Sequence, residues 1–496
     1  NGVVLANNYS AYTLEVTPAE VEFDTLDDLI AELATIVRIE PRDIKRFKKL
    51  KAESKNFEPI PLRSRLSEEE VARFTAQRYR FAGVDVQARL FRSYPLDETA
   101  AHVVGYIGRI NQKEKEAIAE MDPQVQANYK GTDYIGKLGV EQSYEELLHG
   151  TTGVEQMETS AGGRALRLLG SVAPKPGGNV VLSIDIKLQK LVEDMFGDRR
   201  GALVAIDPSN GEILAFVSKP TFDPNLFVDG IDVDNWRALN ESINRPLLNR
   251  ALKGVYPPGS TYKPFMALAA LELGLRKPQT ITNDPGYWMF GKHRFRSHGA
   301  GLGAVNLRRS IVKSSNVYYY ALANEMGVER MHDFMAPLGF GQKTGIDLDG
   351  EATGLLPNQA WKRKRFAQAK NPRQGDWVAG ETISLGIGQG YNNFTMLQLA
   401  HALATVVNGG NSYRPHVGMA TQDMATGQRT PIAQPAAVHL GYKPEHIAVI
   451  KDAMVGVAKE GTGRGSFASA KYISGGKTGT AQAVTIGQKD HYNAAK

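Results

Sequence analysis

Apolar residues recur along the chain with two periods. Leu26, Ile30, Leu33 and Val37 fall at helical spacing, as do Phe265, Leu268, Ala269 and Leu273, and Ile447, Ile450, Met454 and Val457 behind Pro444. Side chains three and four apart share one helix face, so each set predicts a helix with a buried side. Tyr12-Thr13-Leu14-Glu15-Val16 alternates instead, the period of a strand. Ala202 to Ile206 and Glu212 to Val217 flank the turn-forming Asp207-Pro208-Ser209-Asn210-Gly211, which reads as a hairpin. Helices are expected near 264–274, 307–325, 395–407 and 444–459. Strands at both ends of this region with helices between them predict an α+β domain, an antiparallel sheet flanked by helices. A Pro/Gly-rich joint at 174–178, just before the apolar run Val180-Val181-Leu182-Ser183-Ile184, puts a boundary close by. Residues 1–195 then form an N-terminal domain with no obvious catalytic set, and 196–496 a second domain.

Composition narrows the class. At 496 residues the chain exceeds one ordinary core, and its 42% hydrophobic and 23% charged content is that of a globular protein. No apolar run approaches the ~18 residues of a membrane span, and no signal peptide is visible. The absence of cysteine excludes disulfides and thiolate metal sites. A net charge of +6 suits an anionic membrane or wall polymer without selecting either. The basic runs Lys45-Arg46-Phe47-Lys48-Lys49 and Lys362-Arg363-Lys364-Arg365 read as solvated faces, so no nucleic-acid partner is expected.

Three short motifs carry chemistry. Ser260-Thr261-Tyr262-Lys263 follows a Pro-Pro-Gly corner, Ser314-Ser315-Asn316 comes next, and Lys477-Thr478-Gly479-Thr480 follows two glycines. In that order they form the set used by serine enzymes that make acyl intermediates with penicillin-like amides. A serine hydroxyl is a weak nucleophile and needs a neighbouring base. If Ser260 opens a helix, Lys263 lies one turn along the same face, and Pro264 is tolerated in that first turn. A free lysine titrates near pH ~10.4, so Lys263 must be shifted down by burial and by a nearby cation, for which Lys477 is the candidate. Ser314 would pass a proton to the leaving amine and Asn316 would orient the substrate amide. Tyr472-Ile473 before the third motif and Ala481-Gln482-Ala483-Val484 after it suggest a strand. Along its edge an extended peptide could lie, with Thr478, Gly479 and Thr480 against it and Lys477 on its carboxylate. The backbone N–H groups of Ser260 and Thr480 are the oxyanion-hole candidates.

Two look-alikes fall away on context. Lys343-Thr344-Gly345 comes soon after Ser314 and follows Leu338-Gly339-Phe340-Gly341, so it reads as a glycine-rich turn. Gly476-Lys477-Thr478 resembles the end of a phosphate loop, but Lys471 stands where the first glycine is required.

Beyond the motifs, Asp207-Pro208, Phe222-Asp223-Pro224-Asn225, Asn249-Arg250-Ala251 and Gly386-Ile387-Gly388-Gln389-Gly390 resemble the class B high-molecular-mass penicillin-binding proteins. Gly136-Lys137-Leu138-Gly139-Val140-Glu141 resembles their N-terminal module, and Asp376-Trp377, Gly380-Glu381-Thr382 and Gln389-Gly390-Tyr391 most resemble the penicillin-binding protein 2 branch of cell elongation. The resemblance implies a pedestal or dimerisation-type domain followed by a transpeptidase domain with the fold of serine β-lactamases. It also implies a peptidoglycan D,D-transpeptidase without a cofactor. Ser260 would attack the penultimate D-alanine of a D-Ala-D-Ala stem peptide, an amine of a second stem peptide would resolve the acyl-enzyme, and β-lactams would imitate the donor. The implied partner is a membrane glycosyltransferase of the elongation machinery. The implied location is the periplasmic face of the inner membrane, with an anchor helix before Asn1 and further strands and a helix after Lys496.

Two rivals share the acylating residues: a β-lactamase, which needs a separate deacylating base that is not identifiable, and a β-lactam sensor. Asp284, His293 and His298 are close enough to share a loop, but their spacing matches no standard metal motif and they read as polar loop side chains. His401 reads as a packed helix histidine, and no metal is expected.

Overall fold

The structure, a computed structural model, describes residues 2–23, 25–54, 56–130, 132–159, 165–297 and 299–480. Its contacts separate two compact units.

The smaller unit comprises Gly2–Asp97 with Pro224–Ile231. Strand Asn7–Val16 is the centre of a three-stranded sheet, paired antiparallel with Ile60–Leu66 on one side and Val84–Ser93 on the other. The alternation read at Tyr12–Val16 lies at its inner end, where Leu14 and Val16 are fully buried. They meet Leu29, Ile30 and Leu33 of helix Leu26–Leu33, along with Phe47 and Phe74. Thr25 starts that helix by accepting the Asp28 amide on its hydroxyl, which satisfies one of the donors a helix start leaves unpaired.

The larger unit comprises Glu98–Asp223 and the chain from Asp232 onward. Its first part carries the hairpin Val154–Thr159 with Ala165–Val172 and a three-stranded sheet in which Gly418–Gln422 lies between Asn179–Leu182 and Arg429–Pro431. The hairpin expected around Asp207 is present: Gly201–Ile206 pairs antiparallel with Ile213–Lys219, and Asp207 organises the turn by accepting the Ser209 amide and hydroxyl at 2.8 and 2.6 Å.

Helices dominate the rest. Lys263–Glu272 runs through the middle, and every residue from Lys263 to Leu271 is buried. The apolar stripe on Phe265, Leu268 and Ala269 therefore understates the burial, because Met266 and Ala270 on the other faces are covered too, while Leu273 at its end is exposed. Helices Asn316–Met326 and Pro444–Glu460 pack against it, with Tyr262, Met266, Tyr319, Leu322 and Ile450 in the shared core. Fully burying such side chains contributes about 1.5–3 kcal/mol each.

Two expectations differ from what is observed. The single helix read over 307–325 is two, Leu307–Val312 and Asn316–Met326. Ser314 breaks it by taking a left-handed backbone conformation, φ 57°, and the Ser315 hydroxyl starts the second helix by accepting the Tyr318 amide at 3.2 Å. The strand expected at Lys477–Thr480 is likewise not formed among the described residues. A strand needs a paired neighbour, and here the Gly476 amide donates instead to the Met454 carbonyl on helix Pro444–Glu460. Residues 481–484, the other half of that expectation, lie outside the described residues. No helix among the described residues is long and apolar enough to cross a membrane.

Candidate active site

A single fully buried amine organises the site. Lys263, the first residue of the central helix, has no exposed surface, and an unpartnered ammonium there would be strongly disfavoured. Its Nζ donates to the Ser314 carbonyl at 2.8 Å, to Ser314 Oγ at 3.2 Å and to Asn316 Oδ1 at 2.7 Å, and it faces the ring of Tyr319 at 5.5 Å. The bond to the Ser314 carbonyl also explains how the strained backbone at Ser314 is held. Lys477 reaches the same hydroxyl from the third motif, with Nζ 3.0 Å from Ser314 Oγ and 2.7 Å from the Thr478 carbonyl. Thus four of the five residues expected to be catalytic, Lys263, Ser314, Asn316 and Lys477, form one hydrogen-bonded group.

Ser260 is half-buried in the 3-10 turn Gly259–Tyr262, which leads directly into that helix, and its carbonyl accepts the Lys263 amide. It lies one turn before Lys263, but no hydrogen bond joins its hydroxyl to Lys263 Nζ. The reason is visible in the donor count: an ammonium has three protons, and Ser314 and Asn316 take all three.

The third motif abuts the serine turn. A β-carbon on Gly479 would lie 2.7 Å from Thr261 Cγ2 and 3.1 Å from the Pro258 carbonyl oxygen, and one on Gly259 would lie 2.4 Å from the Thr480 carbonyl oxygen. At Gly259, where the clash is with backbone and φ is 54°, only glycine permits the approach. The Ser260 and Thr480 amides make no backbone hydrogen bonds among the described residues. Thr478 shares a 2.6 Å hydroxyl contact with Thr462.

Electrostatics separates the two lysines. Burial drives Lys263 well below the ordinary lysine range, the Lys477 charge pushes the same way, and Asp284 opposes both. Burial alone lowers Lys477, to about 8. Lys263 thus gives up its proton first, so it is neutral by the time Lys477 titrates, and the repulsion falls on Lys263.

Residues 201–496 match the penicillin-binding protein transpeptidase domain, and residues 1–182 match the penicillin-binding protein dimerisation domain. The chain belongs to the penicillin-binding protein transpeptidase family. It is 42% identical to the peptidoglycan D,D-transpeptidase MrdA of Acinetobacter baumannii over 100% of this chain and 72% of that protein. Among solved structures it resembles Pseudomonas aeruginosa PBP2 in complex with WCK 5153, with a TM-score of 0.69 and 42% identity over 79% of this chain and 80% of that one. It also resembles Helicobacter pylori PBP2 in complex with MreC, with a TM-score of 0.79 and 28% identity over 97% and 85%.

Within this family fold, sequence reasoning missed three side chains beside the site. Gln389 Nε2 donates to the Thr480 carbonyl at 3.2 Å, tying the third motif to a turn in which Gly388 and Gly390 have φ of 74° and 76°. The Gly-Gln-Gly spelling was a turn signal, but not one that named its target. Thr462 touches Thr478, and Asp284, read as a loop side chain, is buried at 1% exposure and accepts the Ser315 hydroxyl at 2.6 Å. His293 is exposed in strand His293–Arg296, away from that burial, and His298 lies outside the described residues. No group of three His, Asp or Glu side chains suited to a metal occurs among the described residues. His401 is buried with Nε2 on Ser412 Oγ at 3.1 Å, and burial lowers it to about 4. The second Lys-Thr-Gly is a turn held by Glu351, whose carboxylate accepts the Thr344 amide and hydroxyl, both at 2.7 Å, and the Gly345 amide.

Proposed function

We infer that the chain is a peptidoglycan D,D-transpeptidase that works through an acyl-serine, with Ser260 as nucleophile and Lys263 as its base. The observation that carries the assignment of roles is the shared Ser314 hydroxyl, bonded both to Lys477 and to Lys263, the lysine one helical turn after Ser260. In this reading Ser260 Oγ attacks the penultimate D-alanine carbonyl while its proton passes to the neutral Lys263 amine. Negative charge develops on the carbonyl oxygen, where the Ser260 and Thr480 amides receive it; each such donor is typically worth ~3 kcal/mol. Collapse breaks the peptide bond, and the departing D-alanine nitrogen takes a proton relayed from Lys263 through Ser314. Asn316 holds the substrate amide, and Lys477 with Thr478 and Thr480 holds the terminal carboxylate. An amine of a second stem peptide then attacks the ester and regenerates Ser260.

β-Lactams would acylate the same serine. The reading extends to a role in cell elongation at the periplasmic face of the inner membrane, with a membrane glycosyltransferase as partner and residues 1–195 as a non-catalytic pedestal. Its support is the likeness to MrdA and PBP2 proteins along the whole chain. Labelling with fluorescent penicillin, mapping the modified residue and timing its loss tests the chemistry. A long-lived adduct on Ser260, absent in Ser260→Ala, is expected. Rapid release would make the chain a hydrolase, and modification elsewhere would overturn the assignment.

A further inference from the structure

The middle motif is anchored from below by a carboxylate that the acyl-transfer steps do not use. Asp284 ends strand Thr282–Asp284, which is paired antiparallel with Gly303–Val305, so its backbone is fixed. Both carboxylate oxygens are engaged: Oδ1 accepts the Gly286 amide at 2.8 Å, and Oδ2 accepts the Ser315 hydroxyl at 2.6 Å. Ser315 is itself 1% exposed and starts helix Asn316–Met326, with its two neighbours, Ser314 and Asn316, both bonded to Lys263 Nζ. One buried hydroxyl therefore connects a rigid carboxylate to the two residues that grip the amine, next to the left-handed backbone at Ser314.

We propose that Asp284 is a positioning residue for acyl transfer, holding Ser315, and through it Ser314 and Asn316, in register with Lys263. Resting on the acyl-serine reading above, it explains why a carboxylate is buried within electrostatic reach of Lys263 without a direct ion pair to it. A short charge-assisted bond from a buried hydroxyl fixes direction as well as distance. The carboxylate also acts on Lys263 at a distance. The charged groups that face that amine are Lys477, which disfavours its protonation, and Asp284, which favours it, while Tyr319 offers only its ring.

The test is the rate of penicillin acylation against pH for the wild type, Asp284→Asn, Ser315→Ala and the double variant, with thermal unfolding alongside. Wild-type acylation on Ser260 validates the underlying reading; its absence sinks that reading, whereas variants equal to an active wild type sink only this inference. Acylation is expected to fall by about 10²-fold in each single variant, the loss typical of small misplacement in a reacting group. The double variant should lose no more than the worse single one, since both break one link. Acylation needs neutral Lys263, so removing the negative charge lowers its titration further and moves the acid limb of the Asp284→Asn profile to lower pH. Ser315→Ala keeps the charge and should leave that limb in place. A merely structural role would slow both without the shift. Asp284→Asn with an unmoved limb, or either variant within twofold of wild type, overturns the proposal. Should Asp284→Asn not fold, the Ser315→Ala rate decides alone.

Discussion

Lys263 and Lys477 donate to one oxygen, their Nζ atoms lying 3.2 and 3.0 Å from Ser314 Oγ. Two ammonium ions on one hydroxyl in a partly dry site repel each other, and the deeper one yields its proton. A depressed lysine is neutral above its folded titration point, so base function is present there and is lost as pH falls through it. Lys477 is protonated below about 8 and loses its charge above it. Acylation by a carboxylate-bearing penicillin should thus be bell-shaped, with its alkaline limb near about 8 set by Lys477. Lys477→Met should remove the alkaline limb. It should also move the acid limb to higher pH, because Lys263 no longer feels a neighbouring cation. A profile measured with stopped-flow labelling checks both shifts.

Ser314 combines a proton-relay hydroxyl with a backbone at φ 57° that ordinary residues avoid. The left-handed conformation costs a residue with a β-carbon about 1–2 kcal/mol. Ser314→Gly and Ser314→Ala both remove the hydroxyl and should both lose acylation. They should differ in stability, with the glycine variant more stable by about 1 kcal/mol, the difference glycine's freedom at positive φ supplies. Chemical denaturation of the two variants measures that difference directly.

Gly259 has φ 54° and lies against both the Thr480 carbonyl and Gly388, whose carbonyl accepts its amide at 2.9 Å. Neither neighbour is a flexible side-chain tip. Gly259→Ala is therefore expected to push Thr480 away from the serine turn, lowering acylation by at least about 10-fold while costing about 1–2 kcal/mol of stability from the backbone alone. Labelling rates and melting curves on the same preparation separate the two effects.

What the sequence disclosed about this site followed from fixed local chemistry. Ser260 and Lys263 are three apart on one turn, so their relation was readable before any fold was known. The helix behind Pro444 was equally clear because its period runs through Ile447, Ile450, Met454 and Val457, and the observed helix is Pro444–Glu460. Ser-Ser-Asn is an ordinary cap or turn sequence, so a break was open to reading there, but the left-handed backbone at Ser314, whose carbonyl a buried lysine draws toward it, was not. Asp284 and Gln389 escaped for the same reason: their partners, Ser315 and Thr480, are remote in sequence and chosen by packing. The strand at Lys477–Thr480 rested on alternation alone, and alternation does not supply the neighbour that pairing requires.

The basic run at Lys362–Arg365, read as a solvated face, hides one exception. Lys362 has a side chain only 5% exposed, and its Nζ donates to both Glu381 oxygens at 2.6 and 2.7 Å and to the Asp376 carbonyl at 2.7 Å. Glu381 in turn accepts the Val378 amide and the Tyr391 hydroxyl, while Lys362 faces the Trp377 ring. Removing one partner of a buried pair leaves the other charge uncompensated, which costs about 3–5 kcal/mol; Glu381 is a quarter exposed, so water recovers part of that loss. Lys362→Met should destabilise the domain by about 2–3 kcal/mol. Arg363→Ala and Lys364→Ala, whose side chains point into solvent, should change it by less than about 0.5 kcal/mol. Since Gln389 lies two residues before Tyr391 of this network and holds Thr480, the Lys362→Met protein should also acylate more slowly even below its melting range. Equal stability of Lys362→Met and Lys364→Ala in urea titrations would mean the ion pair is not formed in solution.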